Sequence, residues 1–295
     1  MAAPNLVEQL RRRLIHEKAL RGSRPRRKPK LGRPHYPHGL INEYSRAVAA
    51  LFKEAKKNAI KILEHRLPVV RKVAGAQGVH LRDDWTDEAT STVNAVKTQM
   101  EEDLDPDDAE SLAEEYGSRI DRFNKRDSYA YLSALGGNDL SNEGWLKAAI
   151  VAFAAEGSAA MEAAVTTLGA QMTAIVFSGI RSGQRYQDIV ADIVDRFNIS
   201  ISQAQRSVEN RVSQFNAELT RTRQIEAGIE KYGWATMEDD KVRETHAELD
   251  GTIQSWYDPP ITNEDGDRNH PGEDWGPCRC IPIPVLPEDV LGPED

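Results

Sequence analysis

Apolar residues recur at helical spacing through most of the chain, and that period fails in its last sixty residues. Leu6, Leu10, Leu14 and Ile15 predict a short basic helix over 4–21. Ile41, Tyr44, Val48, Leu51, Phe52, Ala55, Ile60 and Leu63 predict a longer helix over 40–67, stopped by Pro68, with a break at Gly75–Gly78. Thr86 is placed to cap a helix that runs to about Leu104. Asp105-Pro106 has the residues of a helix start, with Asp at the cap and Pro in the first turn. Gly136-Gly137-Asn138-Asp139 predicts a turn, and Ser141 a cap for a helix beginning near Gly144. The alanine-rich stretch Ala148–Ala174 predicts a packed inner helix that ends within Ser178–Gly183. Two more helices are expected. One covers Gln184–Phe197; the other is capped at Ser200 or Ser202, carries Ala204, Val208, Val212, Phe215 and Leu219 at steps of three or four, and ends near Gly233. Arg206, Asn210, Arg211, Asn216, Arg221 and Arg223 fall between those apolar positions and are expected to face outward.

Beyond Gly233 the elements shorten. The pattern predicts a strand over Trp234–Met237, a short helix over Glu238–Glu248, and a hairpin-type turn at Asp250-Gly251. A strand over Thr252–Tyr257 and a long loop to Gly276 follow. Cys280–Leu286 is expected as a last extended segment, which Pro282, Pro284 and Pro287 confine to a sheet edge. The expected fold is therefore mainly α, with a small C-terminal α+β module of short strands and loops. Its expected divisions are a basic extended arm (1–39), a helical region (40–180) and the C-terminal module (181–290).

Charge sharpens this division. The net charge of −9 conceals 19 basic against 5 acidic residues in 1–75, a balance of +14, and −23 in the remainder. Arg24, Arg26, Arg27, Lys28 and Lys30 lie in a segment whose prolines and glycines exclude a helix. Such an arm suits nucleic-acid phosphates or an acidic protein surface, or serves as a solvated linker. The nine acidic residues of Glu101–Glu115 lack the glycine and terminal glutamate of a calcium loop and predict a solvated helix start. No run reaches the roughly 20 apolar residues of a membrane span. Arg11-Arg12-Arg13 has no apolar run after it, so no secretory leader is expected, and folding in a reducing cytoplasm is.

Both cysteines, Cys278 and Cys280, and two of the seven histidines, His246 and His270, fall in the irregular C-terminal segment. Nitrogen and sulfur donors of this kind form tetrahedral zinc sites that hold small loop-rich modules together. C-x-C is shorter than the spacing of a zinc finger, so the same side chains also fit as small buried groups. Asp250, four residues after His246, is placed to orient its ring, and Arg243 is expected to pair with Asp239, Asp240 or Asp250. No His-Glu-x-x-His signature accompanies them, and no catalytic residue is assigned.

The ordered set Trp234-x-Thr236, Asp240-x-Val242-Arg243-x-x-His246-x-x-Leu249-Asp250-Gly251, His270-Pro271 and Cys278-Arg279-Cys280 resembles the phage head morphogenesis family related to protein F of phage Mu, over roughly residues 184–286. The resemblance implies a minor head protein of the virion, inside the head or at its portal vertex, that assembles in the host cytoplasm. Portal protein, major capsid protein and packaged DNA are the implied partners, and a structural zinc ion is compatible with it. It implies no membrane in the assembled head. Some relatives carry toxin domains, and none is expected here after Leu286. The competing reading is a zinc- or cysteine-dependent hydrolase carried in the virion.

Overall fold

The computed structural model describes residues 34–77, 84–132, 143–276 and 278–285. The expected helix over 4–21, the cationic residues Arg24–Lys30, the Gly136–Asp139 turn, the Ser141 cap and Pro287 lie outside them. The fold is mainly α, closed by a small antiparallel sheet near the C-terminus. The helices are α1 (His38–Gln77), α2 (Asp84–Asp103), α3 (Pro106–Leu132), α4 (Leu146–Arg181), α5 (Tyr186–Glu226) and the short α6 (Glu244–Leu249). The strands are β1 (Lys231–Ala235), β2 (Ile253–Ser255) and β3 (Ile281–Val285). The chain forms two compact units: one of 1–41, 118–147 and 209–295, the other of 42–117 and 148–208.

The second unit is a helical core. Phe52, Ala55, Ala59, Leu63, Leu67, Val70 and Ala74 form one buried stripe along α1. That stripe runs past Pro68, which sits inside the helix instead of ending it. Proline forfeits one backbone hydrogen bond, but burial of Leu67 and Val70 on either side holds the helical path. The helix continues to Gln77, into the break expected at Gly75–Gly78, of which Gly78 lies outside the described residues. Tyr44 stacks on Tyr116 at 4.5 Å, Phe153 leans on Tyr44, and Trp85 meets Phe177. The α3 cap is as expected, with the Asp107 amide donating to Asp105 Oδ1 at 2.8 Å.

The alanine-rich α4 differs from the expected inner helix. Phe153, Gly157, Met161, Leu168, Met172 and Val176 face the core, whereas only a third of its most apolar stretch is buried. Contrary to the run-length reading, α4 is long and apolar enough to cross a membrane by length and composition alone. Its packed stripe is also what the core helix of a water-exposed bundle shows. The α4–α5 corner depends on Gly179. A Cβ there would stand 2.6 Å from both Gln184 Oε1 and Ile189 Cγ1. Gly179→Ala is expected to destabilise the fold by about 1–3 kcal/mol, seen as a lower urea midpoint at unchanged slope.

The two helices expected over 184–233 are one. Ile189, Ile193, Phe197, Ile201, Val208, Val212, Phe215 and Leu219 stay in phase and buried, so nothing interrupts α5. Ser202 is no cap; its hydroxyl donates back to the Asn198 carbonyl at 3.0 Å. The helix ends at Glu226, and its capping glycine is Gly228 (φ 83°), not Gly233. Gly228 donates to the Ile225 carbonyl and Ile229 to that of Gln224, both at 2.9 Å, which completes a Schellman cap. Gly233 instead lies in β1.

The sheet has the order β2-β1-β3, with both pairings antiparallel. Pro282 and Pro284 lie on the edge strand β3, opposite Trp234 and Tyr232, as their missing amides require. Asp250-Gly251 is a turn, but it joins α6 to β2 and not two strands. It is tied to β1: Gly251 (φ 75°) donates to the Trp234 carbonyl, and the Thr236 amide donates to Asp250 Oδ1 at 2.7 Å. Trp234, Thr236, Asp250 and Gly251 are therefore bonded neighbours, although 14 residues separate Thr236 from Asp250.

Candidate metal centre

The C-terminal core consists of Tyr232, Trp234, Trp256, Cys278 and Cys280, with Ile225 and Leu249 packed against it. It is too small to exclude polar groups, and His246 and His270 are both buried within this unit. Helix α6 is one and a half turns long and starts at Arg243, whose side chain caps nothing in the helix. Arg243 pairs with Asp274 at 2.6 Å and donates to the Trp275 and Gly276 carbonyls, instead of pairing with Asp239, Asp240 or Asp250. Asp239 is held by Arg279 through two bonds of 2.6 and 2.7 Å, and Asp240 is exposed.

The C-x-C spacing has a simple basis. Side chains two apart on an extended chain share a face. In the run leading into β3, Cys278 and Cys280 turn inward, while Arg279 between them turns toward Asp239. Both sulfurs thereby reach one imidazole, with Sγ of Cys278 3.6 Å and Sγ of Cys280 3.5 Å from His246 Nδ1. The three donor atoms lie within 4.8 Å of one another, and all three residues are buried.

His270, the fourth ligand expected from the sequence, is not in this trio. Its Nδ1 is 2.9 Å from the Tyr232 hydroxyl, its ring meets Trp256, and burial lowers its pKa. Nor does Asp250 orient His246. That carboxylate is Asp274, whose Oδ2 accepts from His246 Nε2 at 3.0 Å and is itself held by Arg243. Sequence spacing concealed Asp274 because it reaches the site from the loop before Cys278, not from the helix that carries His246.

The residues fit a zinc ion. Zn–S bonds of about 2.3 Å and Zn–N bonds of about 2.0–2.1 Å at a tetrahedral angle place nitrogen and sulfur about 3.5 Å apart. The two S···N separations here have that value. A carboxylate on the far ring nitrogen is the usual support of a metal-bound histidine, and Asp274 supplies it. The Trp234 indole N–H is buried without a hydrogen-bond partner among the described residues, and the Trp234 ring meets the His246 ring edge-on at 5.4 Å.

The electrostatics agree with the geometry. The hydrogen bond from Cys280, against the cost of burial and with help from His246, pulls the Cys278 thiol down to about 4. The hydrogen bond with Cys278, burial and the Cys278 charge push Cys280 up. Burial would lower the His246 pKa, but Cys278 and Asp274 outweigh it and raise it. Two adjacent buried thiolates repel each other, so the second keeps its proton unless a cation joins them.

Helix α5 holds the loops around the centre. Ser213 donates to the Cys278 carbonyl at 2.6 Å, Gln214 to that of Glu273, and Gln224 to that of Pro282. Several α5 positions expected to face outward are buried. Asn210 and Asn216 are nearly inaccessible, and Arg223 is fully so. Its guanidinium donates to Asp121, to Asn124 at 2.5 Å and to Glu143 at 2.7 and 3.1 Å. The partners lie 80 or more residues away, and no local pattern announces them.

Residues 170–283 match the family model described as phage Mu protein F like protein. An "Uncharacterized protein" of Haemophilus influenzae is 39 % identical over 111 residues, which is 38 % of this chain and 24 % of that protein. The chain thus spans about a quarter of the length of that curated relative. No solved structure matches. The His246–Cys278–Cys280 centre, with the α5 side chains that hold its loops, lies within residues 170–283, the part of the chain that is similar to the phage Mu protein F like family.

Proposed function

We propose that the protein is a bacteriophage minor head protein, a structural component of the virion that binds portal or shell subunits during head assembly or maturation. The family match over residues 170–283 carries this reading. The family is generally structural, and the module's chemistry is consistent with such a role. Its donors are buried and bonded to their supports, and a zinc ion there would clip α6 to the run before β3. His246, Cys278 and Cys280 would hold the ion, and Asp274 would fix the imidazole. Mass spectrometry of intact particles, with cross-linking to the portal, tests the assignment. Recovery of the chain from purified heads with portal cross-links is expected. Absence of the chain from particles overturns the reading.

The cationic arm is the proposed contact for packaged DNA. Each phosphate neutralised releases about one counterion, so affinity falls steeply with salt. Changing Arg24, Arg26, Arg27, Lys28 and Lys30 to Gln removes up to five such contacts. The slope of log affinity for duplex DNA against log salt is then expected to flatten by about 4. An unchanged slope, with loss of head assembly, assigns the arm to an acidic protein surface instead.

A further inference from the structure

The trio leaves one tetrahedral position without a donor among the described residues. A cavity of about 20 Å³ opens on the site, lined by Met237, Lys241, Val242, Arg243, Arg279 and the three donors. A single water needs about 10–15 Å³ of such space, so the cavity admits one water-sized ligand and little more. Its lining is cationic. Lys241 contributes an exposed ammonium, and Arg243 and Arg279 stand beside it with their charges turned to Asp274 and Asp239.

Resting on the zinc reading above, we infer that the fourth coordination position is reserved for an exchangeable exogenous ligand, a water that a small anion entering past Lys241 replaces. Closed four-ligand sites are inert clips, whereas a site with three protein ligands and one solvent position binds what diffuses in. The exchange involves no electron transfer. The anion's lone pair replaces that of water on the metal, and the water leaves through the same opening. Whatever carries the anionic atom must present it on a slender tip, because the cavity takes one atom or a narrow group.

Cobalt(II) is the probe, loaded anaerobically into the full chain in place of zinc, with azide as the anion. Visible bands of tetrahedral cobalt and sulfur-to-cobalt charge-transfer bands are expected, and both are lost in Cys278→Ser. Titration with azide is expected to shift the visible bands saturably. Lys241→Gln, an exposed change outside the donor set, is expected to weaken azide about two- to fivefold, the worth of one surface charge, while leaving the cobalt bands in place. Cobalt bands that azide does not move overturn the open position and leave the metal centre standing. No cobalt bands at all overturn the zinc reading itself, and the inference with it.

Discussion

Replacing Arg223 with leucine is expected to cost about 3–5 kcal/mol, the usual penalty for removing one partner of a buried ion pair. For a chain of this size that is a fall in melting temperature of roughly 5–8 °C. The guanidinium is fully buried, lies over the Trp145 ring, and joins α3, the segment before α4 and α5 through Asp121, Asn124 and Glu143. Without it, two carboxylates remain in a site with little water, and among the described residues only Lys125 continues to neutralise Glu143. Arg223→Lys is not expected to rescue, because one ammonium cannot reproduce a planar fork that serves three partners. Arg223→Met combined with Asp121→Asn and Glu143→Gln is expected to recover most of the loss, since an uncharged network leaves no carboxylate exposed to a dry environment.

Acid should act on the same network. Burial alone would raise the Glu143 pKa, but the Arg223 and Lys125 hydrogen bonds and charges bring it below the ordinary value. A carboxyl with a depressed folded pKa stabilises the fold above its unfolded value, about 4.3. That stability is lost as pH falls from there through the folded pKa. Thermal melts of wild type should fall in this window, and the fall should be smaller in Glu143→Gln. Equal acid sensitivity in both proteins contradicts the assignment.

How much of this was legible in the sequence follows from the range of each interaction. Helices were readable because apolar period is local. The stripe of α1 and that of α5 needed no partner to be seen. Their ends were misread where packing overrode a local signal: Pro68 is carried through by buried neighbours, and Ser202 bonds within a helix whose phase never breaks. The C-x-C pair was legible as chemistry. Its geometry was not, because the short spacing argues against a finger and only the extended path into β3 places both sulfurs on one side. Asp274 and Arg223 were invisible for a different reason. Their partners lie 28 and at least 80 residues away, and charged side chains in a loop or between apolar helix positions read as solvated until the fold closes over them.

Removing the metal donors is expected to give the other large effect. Wild-type protein, purified without chelators, is expected to carry about one equivalent of zinc. His246→Ala, Cys278→Ser and Cys280→Ser should each reduce this to background, because a site with three protein donors cannot spare one. Asp274→Asn is the graded case. It leaves all donors in place but weakens the support of the imidazole, and a loss of about 10–100-fold in affinity is the size expected for such a partner. His270→Gln, outside the trio, should keep the metal, which separates the geometry found here from the four-ligand set suggested by sequence order. Stability should follow occupancy. A ligand at a thousand times its dissociation constant adds about 4 kcal/mol to the fold that binds it, so a strong chelator should lower the wild-type melting temperature and leave that of Cys278→Ser unmoved. Affinity should also rise with pH, since the thiols must lose protons to bind, and Cys280, pushed up by its hydrogen bond with Cys278, by burial and by its neighbour's charge, is the one that resists. Metal content by elemental analysis, read beside melts with and without chelator, decides the matter: a wild-type protein free of zinc and indifferent to chelator would mean that His246, Cys278 and Cys280 meet only as a hydrogen-bonded cluster.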